Sequence, residues 1–525
     1  MGESAHATSL KFPSSIIGDR SPAPGSALTP HIPRTVRSLA ALALSATLAL
    51  APAHAQLPSL GEGSDLSSGA ERKLGERIAR DLYRDPDYID DAILVEYVQG
   101  IWQPLMAAAR ARGEVTGEIE ERFAWQVLLG KDRSINAFAL PGGWLGLHLG
   151  LVSVTATRDE LASVLAHELS HVSQRHIARL VTQQNQQTPL VVAAMILGAM
   201  AAGKNPEAGK ALITGSQALA IQSQLNFSRD MEREADRIGL GVMTAAGFEP
   251  QGFVTMFDKL TQASRLNDNG NYPYLRTHPM TTERAADMQA RQQLAGRGPA
   301  QPTLEHAMAA GRARVLSHPA VDALRSAVAE AEGPGVAQMP KVRQAGVLYA
   351  GTLAAARLRD PATTDRLLAR LEAVAAADPA AQRQARLLGA ELALARGDTA
   401  RVLRLVDVES GHRPDLLMGA QAQVQGGQAA SAAQRLQTWV ATRPRDAAAW
   451  QLLSSAYAAQ GQALRAIRAE AEARVAQLDY TAALDRFKAA QDLVRKGGGD
   501  HIEASIIDTR ARQVESLLRE ETLER

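Results

Sequence analysis

His167-Glu168-Leu169-Ser170-His171 sets two imidazoles four residues apart, with a carboxylate beside the first. On an α-helix each residue advances about 100°, so His167 and His171 lie roughly 40° apart on one face with Glu168 next to them. Two such imidazoles are half a zinc site, and the carboxylate is its general base. The chemistry this implies is peptide-bond hydrolysis, in which Glu168 takes a proton from the attacking water and delivers it to the leaving amine.

The flanking residues supply the helix. Thr157-Arg158-Asp159-Glu160 has the capping-box order of a hydroxyl followed three residues later by a carboxylate. Leu161, Val164, Leu165, Leu169 and Val172 then recur at helical spacing, so the motif sits two turns inside the helix.

A catalytic zinc takes three protein ligands and leaves one position open. His176 lies nine residues beyond His167, roughly 180° around a continuous helix. Val172 to Arg175 contain no glycine to break that helix, so His176 is expected to cap, pack or hold a partner near the helix end. The acidic run Ser228 to Arg237 reads as a second helix opened by a serine cap. Glu232 and Asp236 share one face of it. Glu234 is about 200° from Glu232 and, with Arg229, Arg233 and Arg237, forms an exposed charge ladder. Spacing alone leaves Glu234 and Asp230 open as ligands. Helix geometry favours Glu232, with Asp236 one turn on as an acceptor for a ligating imidazole N–H.

Asn136-Ala137-Phe138-Ala139-Leu140-Pro141-Gly142-Gly143, Gly150-Leu151, the His167 to His171 motif and Glu232 to Asp236 follow one another. In this order the chain resembles, over roughly residues 70 to 295, the gluzincin metallopeptidases that include HtpX and the CAAX prenyl endopeptidases. The export signal and helical repeats described below make it most similar to the subgroup of periplasmic β-barrel assembly-enhancing proteases. The resemblance implies one zinc per chain held by His167, His171 and Glu232, with Glu168 as base and Asp236 behind the ligands. Ser134 to Leu140 alternates weakly before a Pro-Gly-Gly turn, which suits an edge strand. The resemblance implies that extended substrate pairs there with Asn136, Ala137 and Phe138. It also implies that the loop Tyr272 to Pro279 lies over the site. His278 then either occupies the open zinc position and holds the enzyme latent, or stabilises the oxyanion. Arg284, in the short helix that follows, either meets developing charge or pairs with Asp287.

Arg34 and Arg37 precede an apolar stretch from Leu39 to Ala51, and Ala53-His54-Ala55 offers the small residues that signal peptidase reads. Residues 1–55 therefore read as a signal peptide removed before Gln56, because the stretch is too short to span a bilayer comfortably. The expected compartment is the periplasm. The absence of cysteine excludes a lipid-attachment thiol, a disulfide framework and a thiol nucleophile. A balance of 57 basic and 56 acidic residues argues against a nucleic-acid footprint. A second apolar stretch, Pro189 to Ala202, is also short for a span and is expected to pack internally or touch a membrane surface.

After about residue 300 the composition turns to Ala, Leu, Arg and Gln. Turn signals recur at Asp360-Pro361, Gly397-Asp398, Gly427-Gln428 and Gly461-Gln462, near the tetratricopeptide period. The clearest repeat carries Trp450, Leu453, Tyr457, Ala466 and Ala473, while Pro379, Pro414 and Pro444 sit between hairpins. About four such hairpins should stack into a solenoid with a groove for a peptide or partner. The last segment, from Ala504, reads as a polar capping helix.

The expected fold is mainly α. A zincin-like α+β metallopeptidase domain with a small sheet fills 56–300, and an α-solenoid of tetratricopeptide-like repeats fills 301–525. The expected function is a periplasmic zinc endopeptidase acting on misfolded or misassembled envelope proteins, in outer-membrane β-barrel quality control. Its repeats would dock substrates or the β-barrel assembly machinery. The alternative is a chaperone or adaptor whose zinc site is largely latent.

Overall fold

The computed structural model describes residues 66–183, 229–265, 272–295, 298–497 and 500–523. The signal peptide expected at 1–55, the apolar stretch 189–202 and the Ser228 cap lie outside the described residues. The first part runs α1 (Ser68–Arg84), β1 (Tyr88–Ile89), α2 (Ala92–Ala111), α3 (Gly117–Arg122), β2 (Gln126–Gly130), β3 (Ala137–Leu140), β4 (Trp144–His148), α4 (Leu149–Val154), α5 (Arg158–Ser173), α6 (His176–Gln183), α7 (Arg229–Ala245), α8 (Gln251–Arg265), α9 (Pro273–Thr277) and α10 (Thr282–Ala295).

The strands form one sheet in the order β1-β2-β4-β3, with β2 and β4 parallel and the other pairs antiparallel. Among the described residues β3 is thus an edge strand, as its sequence suggested. Pro141-Gly142-Gly143 turns the chain from β3 into β4, with φ of 69° at Gly142 and 86° at Gly143, a region that side chains disfavour. Along β3 the register pairs Ala137 with Leu147, and the His148 N–H donates to the Asn136 carbonyl at 3.0 Å. In an antiparallel ladder such bonded pairs alternate with unbonded ones. Asn136 and Phe138 therefore turn their main-chain groups toward β4, and Ala137 and Ala139 turn theirs to the free edge.

Helix α5 starts as expected. The Thr157 hydroxyl accepts the Glu160 N–H at 3.1 Å. The Glu160 carboxylate accepts the N–H of Ala156 at 2.5 Å and meets Lys259 Nζ at 2.6 Å. From Glu160 to Ser173 every side chain is buried, so this helix runs through the interior. Helix α7 packs closely against it because Gly239 has no side chain. A Cβ there would stand 3.1 Å from the Ala166 carbonyl and the His167 nitrogen.

The second part is all helical among the described residues. It comprises α11 (Leu304–Ser317), α12 (Val321–Glu332), α13 (Lys341–Arg357), α14 (Pro361–Ala375), α15 (Pro379–Ala395), α16 (Thr399–Leu405), α17 (Arg413–Gln425), α18 (Ala429–Thr442), α19 (Ala447–Ala459), α20 (Ala463–Ala476), α21 (Tyr480–Arg495) and α22 (His501–Leu523). The turns fall where the sequence placed them. Asp360 caps α14, and Gly397, Gly427 and Gly461 separate paired helices with φ of 74°, 79° and 73°. Trp450, Leu453 and Tyr457 pack with Ala466 and Ala473 in one buried cluster, giving a helical solenoid.

The two parts share their apolar interior. One core runs from α2 and α5 through Met308, Tyr349, Leu367 and Leu388. A second joins Leu74 and Ile78 of α1 and Trp144 of β4 to Phe487 of α21 and Ile507 of α22. Helix α22 is thus more than a polar cap. Arginines of α11, α15 and α17 meet an acidic row at the start of α2. Arg312 pairs with Asp91 at 2.6 Å, Arg413 with Asp90 at 2.6 Å and Arg383 with Glu96 at 2.8 Å. That face of the solenoid is turned to the chain's own first part.

Candidate metal centre

Helix α5 supplies His167, Glu168 and His171, α7 supplies Glu232 and Asp236, and the turn after α9 supplies His278. All six are buried. His167 Nε2 lies 2.9 Å from His171 Nε2 and 3.6 Å from Glu232 Oε2, while His171 Nε2 lies 3.4 Å from Glu232 Oε1. His278 Nδ1 is 3.0 Å from Glu232 Oε1 and 3.3 Å from His167 Nε2. The donor atoms of His167, His171, Glu232 and His278 all fall within 4.8 Å of one another. Two imidazoles and a carboxylate are the donor set a catalytic zinc uses, and His278, the third imidazole, is a fourth possible donor beside them.

Glu168 fits the same reading. Among the described residues neither of its buried carboxylate oxygens has a hydrogen-bond partner, although Oε1 lies 3.4 Å from His278 Nε2. A buried carboxylate without hydrogen bonds is costly in a structural role, and it suits a base that must meet the reacting groups inside the site.

Outer groups hold the inner ones. His167 Nδ1 lies 2.9 Å from Asp236 Oδ1. Arg284 grips Asp236 through two hydrogen bonds of 2.7 and 2.8 Å, reaches Glu232 at 2.7 Å and donates to the Pro279 carbonyl at 2.8 Å. Arg284 therefore clamps the ligand helix to the His278 turn. Of the two alternatives for Arg284, the pairing with Asp287 does not form, since Asp287 pairs with Arg291. The Tyr274 ring stacks on His278 with centroids 4.6 Å apart, and the Tyr274 N–H reaches the Ile135 carbonyl beside β3.

The electrostatics follow from burial opposed by near charges. Burial holds the His171 imidazole well below its ordinary pKa, although Glu232 pulls the other way. Burial alone would raise Glu232, but the charge of His278 and the His171 and His278 imidazoles beside it outweigh burial and keep the carboxyl well below the usual range. Burial likewise disfavours charge on His278, yet Glu168 and Glu232 together push its pKa up.

His176 holds a partner near the helix end, as expected, but it does not lie on the far side of a continuous helix. Helix α5 ends at Ser173, and Arg175 adopts φ of 52°, which restarts the chain as α6 in a new direction. The Arg175 side chain holds that backbone by donating to Glu71 at 2.9 Å and to the Leu66 carbonyl at 2.6 Å. His176 thereby faces back, its Nδ1 2.8 Å from His171 Nδ1 and its Nε2 3.1 Å from Glu234 Oε2. Glu234 is correspondingly not part of an exposed ladder. It also pairs with Arg179 at 2.9 Å, and its hydrogen bond to His176 brings its carboxyl down to about 2. Of Asn136, Ala137 and Phe138, only Ala137 offers main-chain groups at the free edge. The Phe138 ring lies across Gly146 and meets His148 edge-on at 5.8 Å.

Residues 97–292 match the model of peptidase family M48. The chain is 34% identical over 248 residues to the β-barrel assembly-enhancing protease of Escherichia coli, covering 46% of this chain and 49% of that protein. That similarity spans about half the length of the relative. The protein of the same name from Yersinia pestis is 28% identical over 479 residues, covering 90% of this chain and 94% of its own. The mitochondrial metalloendopeptidase OMA1 of Saccharomyces cerevisiae is 29% identical over 203 residues, covering 36% of this chain and 54% of its own.

Proposed function

With a peptidase family M48 domain at residues 97–292 as the premise, we propose that the chain is a zinc-dependent metalloendopeptidase. The observation that carries this reading is the buried cluster of His167, His171 and Glu232 beside the unbonded Glu168 carboxylate. His167, His171 and Glu232 hold the zinc. When bound, the dication supplies Lewis acidity, which lowers the pKa of a water it holds and polarises the scissile carbonyl. Glu168 accepts the proton of the attacking water at its carboxylate and passes it to the leaving amine. Asp236 fixes the His167 ring, and Arg284 keeps Asp236 and Glu232 in place. Extended substrate adds to the free edge of β3 through the main-chain groups of Ala137 and Ala139. His278, as a fourth donor, keeps the enzyme latent until the Tyr272 to Pro279 turn moves.

The relatives' name, β-barrel assembly-enhancing protease, supports a role in β-barrel assembly; on this reading the substrates are misassembled envelope proteins, outer-membrane β-barrels in particular, and the repeats engage the assembly machinery. The leader-like residues 1–55 support a periplasmic location. Residues 189–202 either pack internally or make a peripheral membrane contact, and the balance of 57 basic and 56 acidic residues gives no support to a nucleic-acid partner. Among the described residues no helix is long and apolar enough to cross a membrane. A second reading, a chaperone or adaptor with a latent site, draws support from the position of His278.

Metal analysis and cleavage of an unfolded protein by the full chain test the proposal. Wild type should carry one zinc. Glu168→Gln should keep it and lose turnover by about 10²- to 10⁴-fold, while His167→Ala and Glu232→Ala should lose both. His278→Ala should raise turnover. Hydrolysis by pure, zinc-loaded Glu168→Gln at the wild-type rate would overturn the assignment of the base.

A further inference from the structure

Beyond the ligands, the general base and the Asp236-Arg284 support, His171 makes a contact on its other ring nitrogen. His171 Nδ1 and His176 Nδ1 are 2.8 Å apart, and His176 Nε2 is 3.1 Å from Glu234 Oε2. Both imidazoles are fully buried, so this is a built contact. We propose that His176 and Glu234 form a positioning relay that selects the His171 tautomer competent to bind metal. The proposal rests on the metallopeptidase reading above.

The argument is one of proton placement. Between two neutral imidazoles in contact through Nδ1, one proton serves the hydrogen bond, and it belongs to one ring or the other. If His171 carries it, His171 Nε2 is a bare lone pair facing His167 and Glu232, ready to ligate. His176 then carries its own proton on Nε2 and donates it to Glu234. If His176 carries it at Nδ1, the His171 proton moves to Nε2 and blocks the metal position. His176 Nε2 then turns a lone pair on the Glu234 carboxylate, a repulsive contact. Glu234 accepts only, so it favours the first arrangement from two links away. The second-nitrogen partner of a ligating histidine orients its ring and sets its basicity. His167 has Asp236 for this task, at 2.9 Å. His171 reaches its carboxylate through an intervening imidazole, which the left-handed Arg175 brings back toward the site.

The test measures zinc affinity of the full chain by competition with a chromogenic chelator, together with the visible spectrum of the cobalt(II)-loaded protein. Glu234→Gln offers His176 a donor or an acceptor with equal ease and removes the selection. It should weaken zinc binding by roughly 10-fold. His176→Phe, which leaves His171 Nδ1 without a partner, should weaken it by roughly 100-fold and alter the cobalt spectrum. His176→Gln, whose amide oxygen can accept the His171 N–H, should recover part of that loss. Arg179→Ala removes the other partner of Glu234 but leaves the relay, and should keep wild-type affinity. Wild-type affinity in both Glu234→Gln and His176→Phe overturns the relay, as does an equal loss in Arg179→Ala. A wild-type chain that binds no zinc overturns instead the metallopeptidase reading.

Discussion

His306, in the first helix of the second part, is fastened to the first part through both ring nitrogens. The Tyr97 hydroxyl lies 2.6 Å from Nδ1, and the Thr155 carbonyl lies 2.9 Å from Nε2. A carbonyl only accepts, so Nε2 carries the proton, Nδ1 accepts from the tyrosine, and the ring is neutral. Burial pushes its pKa down to about 4, the Thr155 carbonyl only partly opposing it. The unfolded chain takes up a proton near the ordinary value of 6.5, and the folded chain near about 4. Between those values the unfolded state binds more protons, so stability is present above about pH 6.5 and is lost as pH falls toward 4. Integrated over the window the loss is about 3 kcal/mol, of which about 2 kcal/mol has gone by about pH 5. Equilibrium urea unfolding of the full chain at about pH 7.5 and about pH 5, followed by tryptophan fluorescence, measures it. His306→Gln cannot titrate, so its loss between the two pH values should be about 2 kcal/mol smaller than that of wild type. An equal loss in both proteins would refute the assignment of His306 as a buried neutral pin.

Three further outcomes follow from contacts described above. Arg284→Met leaves Asp236 and Glu232 buried without their guanidinium and should cost about 3–5 kcal/mol of stability by denaturant titration, together with weaker zinc binding. Gly239→Val drives a side chain into the His167 backbone and should cost about 1–3 kcal/mol, with zinc affinity falling as α5 and α7 separate; unchanged affinity would show that the helices tolerate the wedge. Arg413→Ala removes the pairs to Asp90 and Asp446 and should lower stability by about 1–3 kcal/mol, read as faster limited proteolysis within the repeats.

What could be read from the sequence was what local rules decide. The α5 cap, the shared face of His167 and His171, the shared face of Glu232 and Asp236, and the Gly turns of the repeats depend on residues a few positions apart. What stayed hidden depended on distant partners. The return of His176 needs a left-handed arginine stabilised by Glu71 about a hundred residues away, and no local signal marks it. The phase of β3 is set by its register on β4, so alternation in the strand alone does not say whether Asn136 or Ala137 faces the free edge. Arg284 bypasses Asp287, a helical neighbour, for Asp236, which only the packing of α7 against α10 brings near. The shared interior was hidden for a similar reason, because helices buried on several sides carry no stripe that names their partner. Cutting the chain near residue 302 therefore uncovers apolar surface on both fragments, and the full-length protein is the proper subject for activity tests.

Helix α1 lies against helices α20 to α22, and its Arg80 donates to the Leu478 carbonyl and meets Glu521 almost at the end of the chain. Contacts so far apart in sequence form late and slowly. During synthesis Leu74 and Ile78 can meet Trp144 early but lack Phe487 and Ile507 until α21 and α22 emerge, so α1 completes its native packing late. A copy lacking α20 to α22 would leave this part of α1 uncovered, a bare apolar surface by which it can be recognised.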